Sequence, residues 1–155
     1  MPQRDAIHGQ VRRALVKDGW QITNDPYVIS YGERFLFIDL AAREWVGVNQ
    51  LQGHFLGAEC GKSRIAVEIK EFRGNSVIAN LEQYIGQYVL YRLLLDQVDP
   101  LRELYLAISE TAYNEVFREP IGELVILGLP MKIVVVDVEQ EEVRQWIPCR
   151  PIETS

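Results

Sequence analysis

The stretch RIAVEIKEF, residues 64–72, is rich in Ile and Val and runs into the turn pair Gly74-Asn75, which predicts a β-strand from Arg64 to Phe72. Side chains alternate along a strand, so Val67 and Ile69 share one face while Ala66, Glu68 and Lys70 share the other. Two opposite charges therefore sit within a strand that otherwise reads as interior. Burying charge without partners is costly, so such groups pair, ligate a metal, or do both.

Working outward, FLFIDLAA (residues 35–42) repeats the anomaly, with Asp39 placed in an apolar run that reads as a second interior strand. Pairing of the two strands would bring Asp39 and Glu68 together. Two adjacent carboxylates repel, and a divalent cation relieves that repulsion; oxygen ligands suit Mg²⁺ or Mn²⁺. The Ile69 carbonyl offers a third ligand. Lys70 would orient or polarise an attacking water, giving a site for metal-assisted phosphodiester hydrolysis. For an isolated Glu-x-Lys, a structural Glu68–Lys70 or Asp39–Lys70 salt bridge is the commoner explanation. The second acid-bearing strand and the helix that follows shift the balance toward chemistry.

That helix is predicted over SVIANLEQYIGQYVLYRLLLDQ, with Ser76 as its cap and Asp99-Pro100 beyond its end. Gln87 and Tyr91 lie at i and i+4 and so share a face, which Asn80 and Tyr84 extend toward the N-terminus. Tyrosines at helical spacing are more often core residues with a hydrogen-bonded tip, so this stripe alone is a weak signal.

The remaining pattern gives the order of elements. RDAIHGQVRRALVKDGW reads as an amphipathic helix ending near Asp18, with Gly19 just past its end. WQIT and FLFIDLAA, separated by Asn24-Asp25-Pro26, read as a hairpin leading into the core. Residues 43–63, interrupted by Gly47, Gly53, Gly57 and Gly61, read as a strand fragment and a loop. After the long helix come a strand at ELYLAIS, a short helix at TAYNEVFREP, and a strand pair at MKIVVVDVE and EVRQWIP. The expectation is one α/β domain over residues 1–155 with a mixed central sheet flanked by helices.

Composition narrows the setting. The 155 residues are 48% hydrophobic and 25% charged, which favours a folded chain over a disordered one. No apolar run reaches membrane-span length and no secretory signal is visible, so a cytoplasmic protein that does not engage a membrane is expected. Cys60 and Cys149 lack metal-ligand spacing and read as reduced thiols. The net charge of −6 is uneven: ten Lys or Arg face nine Asp or Glu in residues 1–75, against six and thirteen in residues 76–155. A mildly basic front beside an acidic back is compatible with either a DNA-facing site or a protein partner and by itself decides neither; the acidic second half is the candidate face for a partner.

Asp39, then Glu68-Ile69-Lys70, then Gln87 and Tyr91 together resemble the PD-(D/E)XK nucleases. Gln-x-x-x-Tyr after Glu-x-Lys is similar to the motif of their RecB-like and Cas4-like branches, where it helps complete the site. The resemblance covers about residues 4–110 and implies a restriction-endonuclease-like core. One departure is visible: where several resolvase-like relatives carry an acid on the first helix, this chain has His8, which reads as a surface residue. Asp5 is a substitute acid, although an Asp there more often caps the helix.

At finer grain the chain resembles the XisH family, the fdxN-element excision controlling factors of cyanobacteria. That resemblance rests on DAIHGQVRRALVKDGWQITNDP, RIAVEIKEF with GQYVLYR, RELYLAI and VVVDVEQEEVRQWIP. It implies control of site-specific excision of a DNA element beside a recombinase and the companion protein XisI. Three readings stay open: a Mg²⁺-dependent DNA endonuclease, a non-catalytic regulatory scaffold that binds DNA, XisI or the recombinase, and a toxin-like nuclease restrained by its companion. A homodimer would suit an enzyme cutting two strands with two sites.

Overall fold

The computed structural model describes residues 7–44, 63–72 and 76–150. The chain begins with α1 (His8–Lys17), whose Val11, Ala14 and Leu15 are fully buried. Gly19 follows with φ of +99°, a conformation open to glycine, and turns the chain into β1 (Trp20–Asn24). Next come β2 (Tyr27–Tyr31), β3 (Arg34–Ile38), β4 (Leu40–Glu44) and β5 (Arg64–Ile69). The long helix α2 (Val77–Val98) starts at Ser76, whose hydroxyl accepts from the Ala79 N–H at 3.1 Å. Strand β6 (Arg102–Ser109) leads into a helical turn at Glu110–Ala112 and a π-helical turn at Tyr113–Phe117. Helix α3 (Pro120–Gly128), β7 (Ile133–Asp137) and β8 (Glu142–Ile147) complete the order.

Six strands form one sheet in the order β1-β4-β5-β6-β7-β8. β5, β6 and β7 run parallel, while β1–β4, β4–β5 and β7–β8 pair antiparallel, so the sheet is mixed as expected. Each face is covered. Val11, Ala14 and Leu15 of α1 pack with Leu40, Ile65, Val67 and Ile69 on one side. On the other, Leu81, Tyr88, Tyr91 and Leu95 of α2 pack with Ala66, Leu104 and Leu106. The hydroxyl of Tyr88 donates to the Leu104 carbonyl at 3.1 Å and accepts from the Lys132 N–H at 3.0 Å, tying α2 to the sheet. No helix among the described residues is long and apolar enough to cross a membrane.

Three expectations are corrected. FLFIDLAA is two strands, because Asp39 breaks the run: β3 pairs with β2 in a separate two-stranded hairpin, and β4 joins the main sheet beside β1. The strand at Arg64 ends at Ile69 rather than Phe72: its last β4 partner is Leu40 opposite Val67, and its pairing with β6 stops at Ile69 opposite Ala107. IGELVILG, between the expected short helix and the strand pair, forms α3, and the short helix before it includes the π-turn. The readings of residues 45–62 and of Cys60 fall outside the described residues; Cys149 is an exposed free thiol.

Candidate functional site

In the β4–β5 pairing Leu40 faces Val67, and extending that register by one residue sets Asp39 opposite Glu68. Both acids therefore lie at the C-terminal end of β5, the end of an open α/β sheet where ligand crevices form. The Ile69 N–H donates to Asp39 Oδ2 at 2.8 Å, which fixes the carboxylate at the chain's crossing from hairpin to sheet. The observed contact of Ile69 with the site is thus through its amide nitrogen.

Glu68 is 6% exposed, and Lys70 Nζ lies 3.3 Å from its Oε1. Its other oxygen, Oε2, is enclosed without a hydrogen-bond partner, as is Oε1 of Gln87. Burial first, then the charge of Asp39, push the Glu68 carboxyl up to about 8, against the opposing pull of Lys70. Burial likewise raises Asp39, while the Ile69 N–H, His8 and Lys70 pull it down and Asp25 adds to the rise. At neutral pH, without a cation, Glu68 consequently meets Lys70 as a mostly protonated acid.

Helix α2 closes the site. Burial raises the Tyr91 hydroxyl, and Glu68 and Asp39 raise it further, which places Tyr91 within their field. The Tyr84 hydroxyl donates to the Glu71 carbonyl, and its ring lies 5.2 Å from Lys70 Nζ, a cation–π contact. Phe72 meets Tyr84 edge-on at 5.1 Å. The stripe of Tyr84, Gln87 and Tyr91 thus runs beside the strand end that bears Glu68 and Lys70. Asp39, Glu68, Ile69, Lys70 and Tyr91 come together by contact or field, and Gln87 shares the helix face of Tyr91.

His8 is buried at 6% exposure, which corrects its reading as a surface residue. Its Nε2 lies 3.0 Å from Asp25 Oδ1, and Arg12 also pairs with that carboxylate. Asp25 is the site residue that sequence reading missed: Asn24-Asp25-Pro26 registers as a turn, and nothing local shows that α1 reaches over it. Asp5 lies outside the described residues.

The donor set fits a hard cation. Asp39 and Glu68 supply carboxylate oxygens, and the partnerless Oε2 of Glu68 is the kind of buried acceptor a metal satisfies. No group of three or more His, Cys, Asp or Glu among the described residues could hold a metal. Two protein carboxylates suit Mg²⁺, which keeps waters and is commonly bound with substrate phosphates.

Comparison with known proteins adds to this picture. The model of the family described as XisH protein matches residues 1–144. A crystal structure of an XisH family protein from Nostoc punctiforme is 36% identical over 92% of this chain and 98% of that one, with a TM-score of 0.77. A crystal structure of an fdxN element excision controlling factor protein from Anabaena variabilis is 39% identical over 93% and 99%, with a TM-score of 0.75. No curated protein matches. With nearly its whole length matched by the family model and by both structures, the chain belongs to the XisH family.

Proposed function

We propose that this chain is an excision controlling factor for a DNA element and acts on DNA as a divalent-metal-dependent endonuclease of PD-(D/E)XK type. The reading is carried by one observation: Glu68, with a partnerless buried oxygen, lies beside Asp39 at the end of two paired strands with Lys70 against it. A salt bridge alone gives no reason to enclose two acids around one lysine. Asp39 and Glu68, with the Ile69 carbonyl, would hold Mg²⁺ or Mn²⁺, which when bound supplies Lewis-acid activation of a phosphodiester.

The chain's own groups divide the remaining work. Asp39 is held in place by the Ile69 N–H, so its orientation does not have to be set at each turnover. Lys70 is positioned by Glu68 and the Tyr84 ring to orient an attacking water and to offset negative charge on the phosphate. Gln87 and Tyr91 offer hydrogen-bonding groups from the facing helix.

A divalent-metal titration followed by cleavage assays on DNA of varied structure tests this. Wild type should bind Mg²⁺ or Mn²⁺ and cut; Glu68→Ala should lose both, and Lys70→Ala should bind metal without cutting. Wild type that binds no metal, or cleavage unchanged in both variants, overturns the proposal.

A second reading, a non-catalytic scaffold that binds XisI or the excision recombinase, has its own support. Leu90 and Leu93 on α2 and Leu124 and Leu127 on α3 are exposed, the last at 80%, and all lie in the acidic second half. Leu124 and Leu127, one turn apart on α3, are the apolar side chains a docked protein would cover. Co-purification with XisI that survives Glu68→Ala and fails with Leu124→Glu and Leu127→Glu together would favour the scaffold.

A further inference from the structure

On the sheet face opposite Glu68, three aromatic rings enclose a cation. The Arg150 guanidinium carbon lies 4.9 Å from the Trp20 ring centre, 5.2 Å from that of Trp146 and 5.6 Å from that of Tyr105. Arg150 Nη1 donates to the Tyr105 hydroxyl at 2.9 Å and lies 3.7 Å from Glu103 Oε1 at the rim. The side chain is only 15% exposed.

The walls are held by contacts that do not involve Arg150. Both indole N–H groups, of Trp20 and Trp146, donate to Asp18 Oδ2 at 3.3 Å. The two indoles are 5.5 Å apart, and Tyr105 meets Trp146 edge-on at 4.9 Å. Trp20 and Tyr105 are themselves buried in the core. Aromatic faces around a desolvated cation, with an acid at the rim, form a selective pocket for a delocalised planar cation.

The guest is attached differently. Strand β8 ends at Ile147, and Arg150 follows it between Pro148 and Pro151, on a segment outside the sheet. We propose that the Trp20–Tyr105–Trp146 cage is a guanidinium-binding site, filled in cis by Arg150 and able to take an arginine side chain presented in trans on a proline-flanked segment. It lies apart from the Asp39–Glu68 site and stands whether or not that site cuts DNA.

The test uses full-length Arg150→Ala, with Arg150→Gln as a second variant that keeps a hydrogen-bond donor for Tyr105. Each is titrated with agmatine and with a peptide of residues 147–155, following the indole N–H resonances of Trp20 and Trp146. Saturable shifts in the variants and none in wild type are expected, with about tenfold weaker binding when Trp146→Leu is added. Shifts with the peptide alone identify a site that reads arginine on a chain, and shifts with agmatine as well show that the guanidinium suffices. A peptide carrying Ala at position 150 should not bind. No saturable shift with either probe in whichever variant folds, or equal binding of the Ala peptide, overturns the proposal.

Discussion

Replacing Glu68 by Gln should stabilise the metal-free protein at neutral pH, and the size of the effect follows from the site. The Glu68 carboxyl sits at about 8 in the folded chain against an ordinary 4.5. Below pH 4.5 folded and unfolded chains both hold its proton, and the stabilisation of the neutral acid is fully present. Between 4.5 and about 8 only the folded chain holds the proton, so stability falls as pH rises through that window. At about 1.4 kcal/mol per pH unit the loss reaches roughly 3 kcal/mol by pH 7. Glutamine has the shape of the protonated acid and does not titrate, so Glu68→Gln removes this loss. With a chelator present, the variant should match wild type near pH 4.5 and melt roughly 6–12 °C higher at pH 7. Saturating Mg²⁺ or Mn²⁺ should narrow or reverse that gap, because a cation bound only by the folded wild type adds its own linkage energy. Thermal unfolding followed by circular dichroism across pH 4–9 measures all of this. Parallel melting curves for the two proteins across that range would show that Glu68 is not the proton-binding acid described above.

Asp39→Asn should retain the acceptor for the Ile69 N–H and stay folded while losing metal affinity, whereas Asp39→Ala should cost a further ~1–3 kcal/mol by denaturant unfolding, because it leaves that N–H unsatisfied. Tyr88→Phe removes a hydroxyl that both donates to the Leu104 carbonyl and accepts from the Lys132 N–H, and should cost about 1–3 kcal/mol in the same assay. Gly122→Ala would set a Cβ against the Val116 carbonyl oxygen and the Phe117 Cα, both backbone atoms. The π-turn and α3 must then part, and a loss of about 1–3 kcal/mol or more is expected from thermal melts.

What was legible in the sequence, and what was not, follows from the range over which each signal acts. Ser76 and Gly19 mark helix ends through contacts within a few residues, so α1 and α2 are readable from the chain alone. Ala66 and Glu68 alternate with Val67 and Ile69, and the period of two predicts their faces before any partner strand is known. By contrast, FLFIDLAA carries no local mark of the break at Asp39. The break exists because the Ile69 N–H, thirty residues away, captures the Asp39 carboxylate and lets the chain leave one sheet and enter another. His8 and Asp25 were misread or missed for the same reason: their pairing is made by α1 lying over the turn after β1, a tertiary fact. α3 was missed because apolar residues occupy both of its faces: Val125 and Ile126 pack on the core while Leu124 and Leu127 are exposed, so no amphipathic period marks it. The pair of acids was legible where the break in FLFIDLAA was not, because burying a charge is costly wherever it occurs. An acid in an apolar run is conspicuous without knowledge of its neighbours, and Asp39 and Glu68 are the two acids so placed that the β4–β5 register sets opposite one another.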